Sequence, residues 1–296
     1  MELWHSWRLL VIAWGAFCIG VVGCSGQECR VTTTVRVLSN GIPTVSLAAV
    51  QLRAKIGGSP ATVVSVTREP KPVTILLIDI SSSMKEIWGQ SLAAAKQLSA
   101  SAGDGVAVVV FGDQIVDDAS GREPTDKLLD RLATLQIKTV GTGTALYDAL
   151  IEVAGAAKNP NTALVVISDG EDNASLHSTD QTVDSFQKNR WPPVFGLVLD
   201  YAHNQTRREY FKRVVAGTGG ILAYPPASKV AEAASELSSE INTPFTIVLQ
   251  ASPLVLKPQK LKLEVVGPDG KPSHGTKVVH VAEIAGCDAT PVPSTN

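Results

Sequence analysis

Asp79, Ser81 and Ser83 form a D-x-S-x-S run directly behind the apolar stretch Val73-Thr74-Ile75-Leu76-Leu77-Ile78. The run offers one carboxylate and two hydroxyls, all of them oxygen donors. Hard divalent cations such as Mg²⁺ take oxygen ligands, so the chemistry on offer is cation binding. The preceding stretch is aliphatic and β-branched without polar alternation, the pattern of a parallel strand covered on both faces. Its carboxyl end is where an open α/β sheet places its ligand site. Hydroxyls that follow a strand also cap turns, so these three residues alone do not define a site.

Two later segments supply more oxygen. Thr144 stands at a cap-like position at the head of an expected helix over 144–156, with Gly141 and Gly143 allowing a close approach. Ala163-Leu164-Val165-Val166-Ile167 is a second buried-strand pattern, and it ends in Ser168-Asp169-Gly170-Glu171-Asp172. Asp169 thus closes a second strand as Asp79 closes the first. On these residues, 72–242 resembles a von Willebrand factor A (VWA) domain of the bacterial exported type. The resemblance includes the metal-ion-dependent adhesion site, a D-x-S-x-S run completed by a distal Thr and a distal Asp. It implies that Asp79, Ser81, Ser83, Thr144 and Asp169 hold Mg²⁺, or Ca²⁺ or Mn²⁺, with the serines and often the threonine touching the ion and the aspartates acting through water. Neutral hydroxyls leave the cation electron-poor, so it takes an anionic oxygen from outside. The implied partner is therefore a protein offering an Asp or Glu side chain, with the metal serving as part of the interface.

Such a site needs an alternating frame, and the chain supplies one. Helical periodicity over 91–102, 125–135, 144–156, 179–188, 206–216 and 229–241 is interleaved with strand patterns at 106–111, 163–167, 194–199 and 221–224. Strands alternating with helices predict an α/β fold with a doubly wound, mostly parallel sheet and helices on both faces. The flanks differ. Residues 30–39 and 61–67 before the domain, and 245–250, 261–266 and 276–281 after it, read as strands; Pro268-Asp269-Gly270-Lys271 is a hairpin turn and 46–54 is ambiguous between helix and strand. These strands are too few on either side for a stable sheet alone. The expectation is a small β-module, a sandwich built from both flanks. The predicted organisation is 1–23 signal peptide, 24–71 N-terminal β segment, 72–242 VWA-like domain, 243–287 C-terminal β segment packing with 24–71, and 288–296 flexible tail.

The start of the chain bears on compartment. Arg8 precedes the apolar stretch 9–22, which is shorter than the ~20 residues a bilayer span needs. Val21-Val22-Gly23-Cys24 resembles a bacterial lipobox, which implies a lipid anchor on Cys24. Ordinary secretion with cleavage near Gly26, or a retained short anchor, stays open. With Cys18 in the leader and Cys24 lipidated, Cys29 and Cys287 remain; in an oxidising compartment they are expected to pair, though two unpaired thiols stay open.

A formal net charge of -2 and the absence of a basic face argue against nucleic acid. No Gly-x-Ser-x-Gly elbow is present, and no nucleophile stands beside a base, so the chain is read as a non-enzyme. Asp113, Asp117 and Asp118 read as solvated loop charges, Glu171 and Asp172 as a solvated loop with capping, and the sequons Asn173-Ala174-Ser175 and Asn204-Gln205-Thr206 as incidental. The alternative to metal-dependent binding is a scaffold subunit of an envelope complex. It would engage its partner through the β-module, with metal only stabilising the site loops.

Overall fold

Two sheets share the chain, and the boundary between them falls where alternating hydrophobicity gives way to continuous hydrophobicity. The computed structural model describes residues 29–102, 106–118, 127, 129–130, 133–134, 143–157, 159, 161–199, 205–252, 257–281, 283–284 and 286–287. The leader, Cys24, Gly141, much of the expected helix over 125–135 and the tail beyond 287 lie outside the described residues.

The chain opens with β1 (Cys29–Ser39), β2 (Ile42–Pro43), β3 (Leu52–Ile56) and β4 (Ser59–Arg68). It then enters the α/β region: β5 (Val73–Asp79), α1 (Trp88–Ala102), β6 (Val106–Phe111), β7 (Ile115–Asp118), α2 (Leu146–Ala156), β8 (Thr162–Ser168), α3 (Thr179–Asn189), β9 (Val194–Val198), α4 (Gln205–Gly217), β10 (Leu222–Ala223) and α5 (Val230–Ile241). It closes with β11 (Phe245–Ala251), β12 (Gln259–Val265), β13 (Thr276–His280) and β14 (Glu283–Ile284).

The α/β sheet has the order β10-β9-β8-β5-β6-β7. Its first five strands are parallel, and β7 is an antiparallel edge. One face packs Leu76, Ile78, Val108, Val165 and Ile167 against α1 and α5. The other packs Leu77, Val109, Leu164 and Val166 against α2, Phe186 of α3 and Phe211 of α4. Because both faces are covered, alternate residues of one strand all go inside, and each fully buried Leu contributes about 2 kcal/mol. Since β6 and β8 flank β5 on opposite sides, the topological switch point lies between β5 and β8. Ile78 faces Ile167 in that pair, so Asp79 and Ser168 leave the sheet side by side.

The flanks form the larger sheet. Its order is β13-β1-β11-β4-β3-β12-β14, with β2 on β1, and its pairings are antiparallel. Val31, Val35, Leu52, Ile56, Phe245, Ile247, Leu249, Leu261 and Leu263 share one core on its inner face. A Cys29–Cys287 disulfide joins the two ends of the module, with Cα atoms 5.1 Å apart.

Three sequence expectations need correction. The flanking module is one curled eight-stranded sheet, larger than the six-stranded α/β sheet, where a small sandwich was expected. The reason is that 46–54 resolves into a short 3₁₀ turn at Ala49–Gln51 followed by β3, and β4 runs from Ser59 to Arg68. The α/β sheet is mixed: Asp117 and Asp118 lie in β7, not in a loop. A tight turn in which the Gly112 N–H donates to the Gln114 carbonyl at 2.9 Å returns the chain before the acidic residues, whose charge conceals a strand. Helix α2 starts at Leu146, with Ala145 as its N-cap, so Thr144 is not the capping residue.

Gly220, which follows α4, is a point where packing allows only a hydrogen. A Cβ there would sit 1.7 Å from the Val194 carbonyl oxygen at the head of β9. Gly220→Ala is expected to cost about 3 kcal/mol or more. Gly89→Ala is the control, since a Cβ at Gly89 meets nothing within 4 Å. Urea unfolding of both variants checks the difference.

No helix among the described residues is long and apolar enough to cross a membrane.

Candidate metal centre

The centre is assembled by loops at the carboxyl ends of the parallel strands. β5 delivers Asp79, which is wholly buried. Its Oδ1 accepts from the Ser81 N–H at 2.8 Å, and its Oδ2 accepts from the Ser168 hydroxyl at 2.7 Å. Ser81 then caps a 3₁₀ turn over Ser82–Glu86 in extended conformation, pinned by Met84, which is fully buried. That turn brings the Ser83 hydroxyl to 3.1 Å from the Ser81 hydroxyl, Ser81 being buried and Ser83 exposed. The D-x-S-x-S run thus gathers its three side chains on one loop.

Asp169 is 7% exposed at the end of β8. Its Oδ1 accepts from the Glu171 N–H at 3.0 Å and, weakly, from the Ser168 hydroxyl at 3.5 Å. Gly170 takes φ +81°, which a residue with a Cβ adopts only with strain, and its N–H donates to Ser168 Oγ at 3.0 Å.

Thr144 is 2% exposed on a third loop. Its N–H donates to Asn173 Oδ1 at 2.8 Å, and its carbonyl accepts from the N–H groups of Asn173 and Ala174 at 3.0 and 3.1 Å. The Ala145 N–H donates to the Gly112 carbonyl at 2.7 Å, and the Ile80 N–H to the Phe111 carbonyl at 2.9 Å. All five predicted site residues therefore lie on loops that are hydrogen-bonded into one ring. Among the described residues no hydrogen bond joins the Thr144 hydroxyl to the D-x-S-x-S run, so Thr144 is tied in through its backbone. Gly143 allows the close approach, since a Cβ there would meet Ala174 Cβ at 2.9 Å.

Sequence reasoning missed the residues that hold this ring. Ser168 bridges the two acidic strand ends; its only signal was that it is the first polar residue after an apolar run. Asn173 was read only as the head of an incidental sequon. Asp172, read as loop with capping, and Ser175, read only as part of a sequon, accept from the Tyr147 N–H at 3.2 and 3.0 Å and so cap α2 from across the site. Asp148 answers in the other direction, accepting from the Leu176 and His177 N–H groups at 2.8 and 3.1 Å. Burial works to raise the Asp148 carboxyl, but these bonds and the His177 ring hold it below its ordinary value.

The electrostatics test whether a cation fits. Burial pushes the Asp79 carboxyl up to about 7; hydrogen bonds from Ser168 and Ser81 oppose this, and the charge of Asp169 adds to it. An ionised, fully buried carboxylate with an anionic neighbour needs a positive charge. A divalent ion among the Ser81, Ser83 and Thr144 hydroxyls would supply it, and the donor set is all oxygen. Among the described residues no group of three or more His, Cys, Asp or Glu is arranged to hold a metal. A centre here would draw on the Ser81, Ser83 and Thr144 hydroxyls beside the two carboxylates.

Comparison with known proteins finds resemblances over part of the chain. Residues 50–189 match the family model described as VWA domain containing CoxE-like protein. No curated protein matches the chain in sequence. Solved structures include an aerotolerance-related membrane protein from Bacteroides fragilis, at 18% identity over 57% of this chain and 98% of that one, with a TM-score of 0.41. BatB from Bacteroides thetaiotaomicron aligns at 14% identity over 57% of this chain and 97% of that one, with a TM-score of 0.43. Proximal thread matrix protein 1 from the mussel byssus, with a zinc-occupied MIDAS motif, aligns at 14% identity over 60% of this chain with a TM-score of 0.40; the chain spans 49% of that protein's length. Over residues 50–189 the chain is thus similar to a VWA domain.

Proposed function

We propose that this chain is a binding protein whose VWA-like domain holds one divalent cation, Mg²⁺ or else Ca²⁺ or Mn²⁺, and presents it to an Asp or Glu side chain of a protein partner. The observation that carries this reading is Asp79. It is a carboxylate buried at the switch point, hydrogen-bonded to Ser81 and Ser168, and the charged neighbour that acts on it is another carboxylate, Asp169. The cation would neutralise that pair, and neutral hydroxyls would leave it avid for an outside anion. The two serine hydroxyls pair with each other, which favours ligation over nucleophilic attack. Export with a lipid anchor at Cys24 belongs to the same proposal. The Cys29–Cys287 disulfide supports an oxidising compartment.

The scaffold reading keeps one specific support, the size of the antiparallel sheet that both flanks build. Retention on the immobilised chain separates the two readings. A partner held in Mg²⁺ and released by EDTA, and not retained by Asp79→Asn, is the expected result. Retention indifferent to both would assign binding to the antiparallel sheet.

A further inference from the structure

The antiparallel sheet meets the base of the α/β domain along a cleft of about 460 Å³. The cleft lies at the amino ends of the parallel strands, since Pro193 lines it just before β9, and so it is remote from Asp79. Arg36 of β1 lines it and is only 2% exposed. Its Nε is buried without a hydrogen-bond partner. Its guanidinium carbon sits 4.5 Å from the centre of the Phe195 ring, a contact that steadies the plane but offers no acceptor. Among the described residues no carboxylate lies within ion-pair distance of Arg36. Glu240 acts on it from further away, and burial pushes that carboxyl up to about 7, which weakens it as a counter-ion.

Buried polar groups in native structures are hydrogen-bonded as a rule, and buried charges are paired. A buried guanidinium beside a cavity, with an unpartnered Nε and no close carboxylate among the described residues, is suited to pair with an anion from outside. The rest of the lining describes that other half. Trp191 stands edge-on to Phe186 at 5.3 Å, which fixes an indole at the cleft. Thr32 and Thr34 follow the same face of β1 as Arg36 and supply hydroxyls. Arg190 adds a second cation, and among the described residues Glu283 is the one carboxylate of the lining, so the described lining carries a net positive charge.

We propose that this cleft binds a small organic anion, a carboxylate or sulfonate on a flat apolar body, with its charge on Arg36 and its ring against Trp191. Pockets of this size with an apolar wall and a few convergent polar groups are the ordinary form of small-molecule sites.

The probe is 8-anilinonaphthalene-1-sulfonate, titrated by fluorescence into the full disulfide-bonded chain in EDTA, so that the metal centre plays no part. The neutral N-phenyl-1-naphthylamine is the control. The expected result is saturable one-to-one binding at least about tenfold tighter than the neutral probe, with a similar loss in Arg36→Met. Equal binding of both probes, or unchanged binding by Arg36→Met, overturns the proposal. Should Arg36→Met fail to fold, Thr34→Tyr decides. Thr34 is exposed, so the substitution is tolerated, and its ring fills the cleft. Tight sulfonate binding that survives Thr34→Tyr overturns the proposal equally.

Discussion

Asp79→Asn is expected to abolish the metal-induced rise in melting temperature while leaving the metal-free chain at least as stable as the parent at neutral pH. A cation that binds only the folded state stabilises it by about 2.7 kcal/mol when present at a hundred times its dissociation constant. For a domain of this size that is a rise of about 5–10 °C. The asparagine keeps the shape. Its oxygen can still accept from the Ser81 N–H, and its amide can donate to Ser168 Oγ, whose own hydroxyl can turn towards Asp169. What disappears is the charge, which the cation needs and the metal-free fold tolerates poorly.

The pH dependence carries the opposite sign in the two states. In the metal-free chain burial raises Asp79 from 3.8 to about 7, so the folded state holds a proton that the unfolded chain releases. The stability this contributes is full below about pH 4 and is lost as pH rises towards 7. Metal binding requires the ionised carboxylate and strengthens over the same window. Melts in EDTA and in Mg²⁺ across that range should therefore diverge for the parent and run in parallel for the variant. A metal-induced rise that persists in Asp79→Asn would remove the centre from the D-x-S-x-S loop.

The residues that carry charge at strand ends were legible because two different patterns coincide there. A continuous apolar run predicts a doubly covered strand, and the first acidic residue after it marks the strand's carboxyl end, where the site loops begin; Asp79 and Asp169 satisfy both. Thr144 could be placed on the right loop, though not in its role, because a cap is defined by which amides it receives. Those amides belong to Tyr147 and Asp148, and they are taken by Ser175 and Asp172 from a segment nearly thirty residues away. No local window contains both partners. Edge strand β7 escaped for a related reason: an edge is half-solvated, so Val116 can be exposed and the acidic pair can follow without breaking the ladder. Packing of the two flanks was expected, and β11 pairs with β1 and β4 far back in the chain, with Val31 facing Leu249 and Val66 facing Ile247; the sheet's size was hidden because 46–54 is locally ambiguous and β3 emerges from it.

That long-range closure makes the Cys29–Cys287 bridge the other large effect. Its two cysteines are 258 positions apart. In the chain-entropy account, a cross-link over so long a loop stabilises by about 5 kcal/mol, an upper figure since unfolded-state structure reduces it. The bridge also holds a seam. Cys29 begins β1, and Cys287 follows β14, a two-residue strand that among the described residues pairs with β12 through Ile284–Gln259 and Glu283–Lys260. Both cysteines pack on the core formed by Val31, Ile247 and Leu261. With serine at both positions, β14 has little to keep it in place. The double substitution Cys29→Ser with Cys287→Ser is expected to lower the melting temperature by roughly 10 °C or more, with amide exchange at Glu283 and Ile284 speeding up first. The Mg²⁺-induced rise should survive, because the α/β sheet has its own two cores and the site loops are bonded to one another, not to the antiparallel sheet. An unchanged melting temperature would mean that strand pairing alone closes the module. Loss of the metal response together with the bridge would show that the two sheets stand or fall as one cooperative unit.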